Sequence, residues 1–265
     1  MASYYYSGQG TLYVAERDGT TGAPLGFTSI GNVPNLEISV EITKFEHKES
    51  MSGNRAVDLT IIQEKKGTFT MTMEDMNPNN LAMVFWGETS AITAGTVSTA
   101  EEVTAYIGKS SALAHVAVST VVIKDDADTI TYEFGTSLDD VDSLNGWVDP
   151  GSGTIHVFTT AVQTANGAAA NIADEDVLHV TYSYAAATEI DGFTETSMER
   201  WMRFIGLNTI DGKTVVIDMF KCQLDPLKGY GVINEELASI EVTGSLLYDD
   251  KQTGTSKFFK QVNVT

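Results

Sequence analysis

Cysteine, proline, basic residues and long apolar runs are all scarce in this chain, and each scarcity excludes something. One cysteine, Cys222, stands among 265 residues, so no internal disulfide can form. That fits a reducing cytosol. Only five prolines are present, and no low-complexity tract. No apolar run approaches the roughly 18 residues that a membrane-spanning helix needs. The opening MASYYYSGQG has neither a basic region nor an apolar core, so no signal peptide is expected. Basic residues number 16 against 36 acidic ones, a net charge of -20. Binding a nucleic-acid backbone needs clustered Lys and Arg, and this balance argues against it.

What is present is enough apolar material for a sizeable core, at 42% of residues. The length sets a prior of one or two domains. The acidic charge is uneven. Val97 to Ile190 holds 14 acidic and 2 basic residues, net -12, and the remainder is net -8. Such a shift predicts an acidic unit inserted in another one. The expected divisions are residues 1–90 and 191–265 for the outer domain and 91–190 for the insert.

The chain is organised around Asn35 to Glu74. Leu36, Ile38, Val40 and Ile42 alternate with Glu37, Ser39, Glu41 and Thr43, and Phe69, Met71 and Met73 alternate with threonines. Period two means a strand with one dry and one wet face. VDLTII reads as a further strand, with a break at QEKKG before the third. Between the first two strands the run KFEHKESMSGNRA reads as a long loop. It carries Lys44, Glu46, His47, Lys48, Glu49 and Arg55, with Phe45 and Met51 as its large apolar anchors. Loops this long inside compact domains are usually functional or disordered. An arm held out for a partner and an ordinary surface loop both fit this stretch.

Elsewhere, a strand is expected over Gly10–Glu16 and a helix after Asn77, with Asn77 as N-cap, Pro78 in the first turn and Gly87 as the stop. Glu88 to Ala100 has a linker composition. The insert reads as small and all-β, with strands opening at Val103 and covering Ala117–Ile123, Thr129–Phe134, Thr154–Thr159 and Val177–Tyr184. Trp201–Ile210, Lys213–Leu224, Leu237–Tyr248 and Phe258–Val264 complete the outer domain, with Asp211-Gly212 as a hairpin turn. The fold class is therefore mainly β: a sandwich or partial barrel with one short flanking helix, a long inter-strand loop and an inserted β domain.

No catalytic or cofactor motif emerges. Gly206 to Thr214 imitates a phosphate loop, but it has five residues between its glycines where the motif has four, and a β-branched strand follows. His47, His115, His156 and His179 lack metal-ligand spacing, and satisfied sheet histidines are the plainer reading. Asp125-Asp126-Ala-Asp128 and Asp139-Asp140-Val-Asp142 resemble the start of calcium loops, without the glycine at the sixth position or the glutamate at the twelfth. Solvated turns are the plainer reading there too. No cofactor and no metal are expected.

Gly8-x-Gly10-Thr-Leu-Tyr-Val, Ile30-Gly-Asn-Val-Pro-Asn-Leu36, the helix with Asn80-Leu81, Arg203-Phe-Ile-Gly-Leu-Asn208, Lys221-Cys-Gln-Leu-Asp-Pro226 and Glu241 to Asp250 form an ordered set. That set resembles the tail tube proteins (major tail proteins) of long, non-contractile-tailed bacteriophages. The resemblance implies no catalysis. Six copies would join sheets edge to edge into a ring, and rings would stack into a hollow tube that conducts DNA. Expected partners are the chain itself and the tape measure, tail terminator and distal tail proteins, with transient passage of DNA and no membrane. The location would be the virion tail, assembled in the host cytoplasm. The Lys44–Arg55 loop would make ring-to-ring contacts, and Glu37, Glu41, Asp58 and Glu74 would line the lumen if their strands face inward, an ordinary solvated sheet face being the alternative. A soluble acidic adhesin or carbohydrate-binding sandwich is the competing reading, and an enzyme built on an acid cluster is a third.

Overall fold

The computed structural model describes residues 5–51, 53–140, 143–196 and 198–264. Ser52 of the expected loop and Asp142 of the second acidic run lie outside the described residues. In chain order the strands are β1 Gly8–Ala15, β2 Thr28–Ser29, β3 Asn35–Lys48, β4 Val57–Met73, β5 Glu88–Ile92, β6 Gly95–Thr104, β7 Lys109–Ala112, β8 Val118–Asp125 and β9 Thr131–Tyr132. They continue with β10 Phe134–Gly135, β11 Gly146–Asp149, β12 Thr154–Val157, β13 Val177–Tyr184, β14 Ala187–Asp191, β15 Glu199–Asn208, β16 Thr214–Leu224, β17 Ile240–Leu246 and β18 Phe259–Asn263. Helix α1 is Pro78–Val84 and α2 is Thr160–Asn166.

The chain divides into two units, residues 1–89 with 190–265 and residues 90–189. The first is built on one sheet in the order β2-β1-β15-β16-β17-β4-β3. Alternation decides which side chains face inward. Leu12, Met71, Met73, Met202, Met219 and Val242 form its core, each almost wholly removed from water. Burying a side chain of this size contributes about 1.5–3 kcal/mol. The sheet forks at β16. One edge of that strand pairs with β18 over Val215–Met219 and with β17 over Cys222–Leu224. The fold is mainly β and sandwich-like, with no closed barrel among the described residues.

Helix α1 starts as its sequence dictates. The Asn77 side chain accepts a hydrogen bond from the Asn80 backbone N–H at 3.0 Å, and Pro78 occupies the first turn. Buried Asn80 donates through Nδ2 to the carbonyls of Ile30 and Asp75, at 3.0 and 2.8 Å, fixing the helix to the segment after β2. The stop differs from expectation. The helix ends at Val84, and Trp86, at φ 52°, takes the left-handed position in place of Gly87.

The second unit has two four-stranded sheets, β10-β11-β12-β7 and β6-β13-β8-β9, over its own core of Val103, Ile123, Ile155, Leu178, Val180 and Tyr182. Glu88 to Ala100 is not a linker in structure. Its small polar residues form β5 and the start of β6, and β5 pairs with β14. A second helix also departs from the single one expected. Helix α2 has no apolar stripe to announce it; its buried residue is Gln163. That amide is fully satisfied, donating to the Phe158 and Ile172 carbonyls and accepting from Asn145 Nδ2 and the Ile172 N–H.

Candidate functional site

The alternation that makes β3 a strand does not stop where the core stops. Its pairing with β4 runs from Asn35 opposite Thr72 to Lys48 opposite Val57, with two register shifts on the way. The expected loop is therefore a strand over Lys44, Phe45, Glu46, His47 and Lys48. Only Glu49 to Ala56, with Glu49, Met51 and Arg55, connects the two strands. The expected break at Gln63–Gly67 reduces to a bulge: Gln63 has no residue opposite it, and Glu64 to Gly67 stay paired within one strand. Ile38 and Phe69 are the last pair packed on the core. From Val40 onward both strands are exposed, up to Lys66 on the return. At the usual rise per residue this ribbon projects about 30 Å.

Two irregularities shape the ribbon. The register shifts between Thr43 and Lys44 and again between His47 and Lys48. Beyond the first shift Phe45 pairs with Ile61 and His47 with Leu59. Alternation puts Phe45 and His47 on the side of β3 that Glu37 and Glu41 occupy nearer the body. That side is polar over the body and becomes apolar on the projection. Phe45, Leu59 and Ile61 are each about half exposed, and Met51 at the turn is 95% exposed. Exposed apolar side chains rimmed by charge make this side of the ribbon the candidate interaction surface. A two-stranded ribbon alone in water is marginal at best.

The four acids expected to act together do not form one set. Glu37 and Glu41 share a face with Ser39, Thr68, Thr70, Thr72, Glu241, Thr243 and Ser245, since Glu37 lies opposite Thr70 and Thr70 opposite Thr243. This makes a wet face of hydroxyls and carboxylates. Asp58 sits far out on the ribbon, its carboxylate 2.6 Å from His47 Nδ1. Glu74 falls beyond the end of β4 and accepts from Asn32 Nδ2 at 2.6 Å. Lys65 and Lys66 were hidden by the supposed break; Lys66 stands opposite Glu41.

A cleft of about 840 Å³ lies beside α1, between the end of β1, the start of β15 and the turn after β17. Its wall is an ion-pair network. Arg17, nine-tenths buried, reaches Asp249 at 2.8 Å and Glu199 at 3.4 Å; Lys221 meets Glu199 at 3.2 Å and Arg200 meets Glu16 at 3.5 Å. Burial pushes the Asp249 carboxyl up, but the Gln252 side-chain donor and the Arg17 charge more than reverse this. The group sits below the ordinary carboxylate range. Sequence reasoning missed this cleft, because its walls come from five separated segments with no shared motif.

The remaining candidates resolve into structure. Among the described residues no group of three His, Cys, Asp or Glu is placed to hold a metal. The Asp125 carboxylate accepts from the Thr129 N–H and hydroxyl and from the Ile130 N–H, which makes it a turn cap. His115 stacks on Tyr184, His156 bonds Ser110, and His179 lies between Asp126 and Asp128. Cys222 is buried, and desolvation pushes its thiol up, away from reactivity. Gly206 to Thr214 is the β15–β16 hairpin, with Gly212 at φ 72°. No helix among the described residues is long and apolar enough to cross a membrane.

No curated protein matches the chain. A family model described as "Protein of unknown function UCP028589" matches residues 5–262, and the chain belongs to that family.

Proposed function

We propose that this chain is a self-assembling structural subunit, the tail tube protein of a long-tailed bacteriophage, whose copies form stacked rings around a channel for DNA. The observation that carries this reading is the β3–β4 ribbon, about 30 Å of two-stranded projection with apolar side chains open to water. Such a ribbon gains its stability from a partner, and a repeated subunit always has a partner at hand.

Two further features support it. The outer edges of β3 and β18 have no strand beside them among the described residues, so they offer backbone donors and acceptors for edge-to-edge addition. The Ser/Thr face that carries Glu37, Glu41 and Glu241 suits a lumen wall. Carboxylates repel phosphate, and the neutral hydroxyls add no positive charge to hold it, so net repulsion lets DNA slide, with Lys66 opposite Glu41 a cation on the same face. Asp58 and Glu74 have no part in that wall. The role is mechanical and needs no cofactor.

Negative-stain electron microscopy across a concentration series tests the reading. Hollow tubes or six-fold rings are expected. Monomers at every concentration and salt would sink it.

A further inference from the structure

The cleft beside α1 and the far end of the ribbon carry opposite surpluses of charge. Residues 44–66 hold five of the chain's 16 basic residues (Lys44, Lys48, Arg55, Lys65 and Lys66) and four acidic ones. The projection is net +1 in a chain of net -20. None of the five forms an ion pair among the described residues. At the cleft the basic groups are already engaged. Arg17, Arg200 and Lys221 are paired, and Lys251 Nζ is held by the carbonyls of Gly19 and Thr20 at 2.6 Å. Three lining carboxylates, Glu88, Glu195 and Asp250, are exposed and have no cationic partner among the described residues. Met83 and Met198, members of the apolar core, also line the recess, with Val14, Ile30 and Ala82.

Position agrees with charge. The ribbon leaves the body past Val40, whereas α1, which walls the cleft, begins just after β4 ends at Met73. Arm and recess are thus attached to opposite ends of the same strand. A recess so placed is open to the arm of another copy, and a head-to-tail contact of this type repeats along an open stack whenever its rotation does not close it into a ring.

We propose that the cleft is the receptor for the ribbon tip of a second copy. Met51 enters against Met83 and Met198, and Lys48 and Arg55 meet Glu88, Glu195 and Asp250. The proposal rests on the tube reading and adds the acceptor to it. Met51, 95% exposed, loses its exposed surface there, and the unpaired carboxylates gain cations.

The test uses full-length chain. Met51→Cys and Glu195→Cys proteins are mixed under assembly conditions and oxidised; native Cys222 is buried and stays out of the reaction. A disulfide between the two different chains is expected, and neither variant alone should cross-link. In parallel, Lys48→Glu/Arg55→Glu and Glu195→Lys/Asp250→Lys should each raise the concentration at which tubes appear by about tenfold or more. Joining all four changes in one chain should restore assembly, a rescue that mere misfolding would not give. Tubes without the cross-link, together with normal assembly of the cleft variant, would overturn the acceptor and leave the tube reading standing. A native chain that never assembles would remove both.

Discussion

Arg17 shows how much one side chain can carry in a protein this acidic. Its guanidinium is held between Asp249 and Glu199, with the Asp249 side chain only 2% exposed. Removing one member of such a pair leaves a buried charge without its counterion, and losses run to about 3–5 kcal/mol. Arg17→Met should therefore lower unfolding stability by about 3 kcal/mol in urea melts at neutral pH, and an unchanged midpoint would refute the keystone role. The pH dependence has a definite sign. The folded Asp249 carboxyl lies below its ordinary value of 3.8, so its contribution is complete above that pH and fades as pH falls through the folded pKa. In Arg17→Met the lowering weakens. Less of its stability should therefore be lost as pH falls below 3.8 than the native chain loses, so the difference between the two chains narrows in acid, and melts between pH 3 and 7 read this directly.

At the level of elements, the proposed assembly would place the ribbon's stabilising contacts outside the monomer, and this would separate folding from assembly. Phe45 and Ile61 face each other across the strands, about half exposed. Exposed substitutions away from special backbone usually move stability by less than about 0.5 kcal/mol. Phe45→Ser with Ile61→Ser should leave the thermal melt nearly unchanged and abolish tubes by sedimentation; intact tubes would exclude this patch from the contact. The same physics explains what could be read from the residues alone. Leu36 to Ile42 and Phe69 to Met73 alternate because one face is dry, and their strands are plain in the text. Lys44 to Lys48 have no dry face in the monomer, so nothing forces an alternation, and a strand there reads as loop. Gln63 to Lys66 look like a break for the same reason. Helix α2 is silent because its anchor is an amide. The cleft is silent because Arg17, Glu199 and Asp249 meet only after β1, β15 and the segment past β17 are folded together.

Across the whole molecule, charge is divided between two cores. Residues 90–189 have their own apolar cluster and carry 14 acidic and 2 basic residues, net -12. The other unit, with the ribbon, the open edges and the cleft, is net -8. Copies brought together in the proposed tube would have to overcome mutual repulsion, and residues 90–189 carry the larger share of the net charge. Replacing residues 90–189 by a short Gly-Ser linker from Thr89 to Ile190 should leave a folded chain, since its core cluster is contributed entirely by the retained residues. That chain should assemble at a lower protein concentration than the native one at low ionic strength. The advantage should shrink as salt rises, because the screening length falls from about 30 Å at 0.01 M to about 3 Å at 1 M. Light scattering against salt for the two chains measures it. Parallel curves would mean that residues 90–189 keep their charge remote from neighbouring copies, and a chain that folds but no longer assembles would make them part of the contact itself.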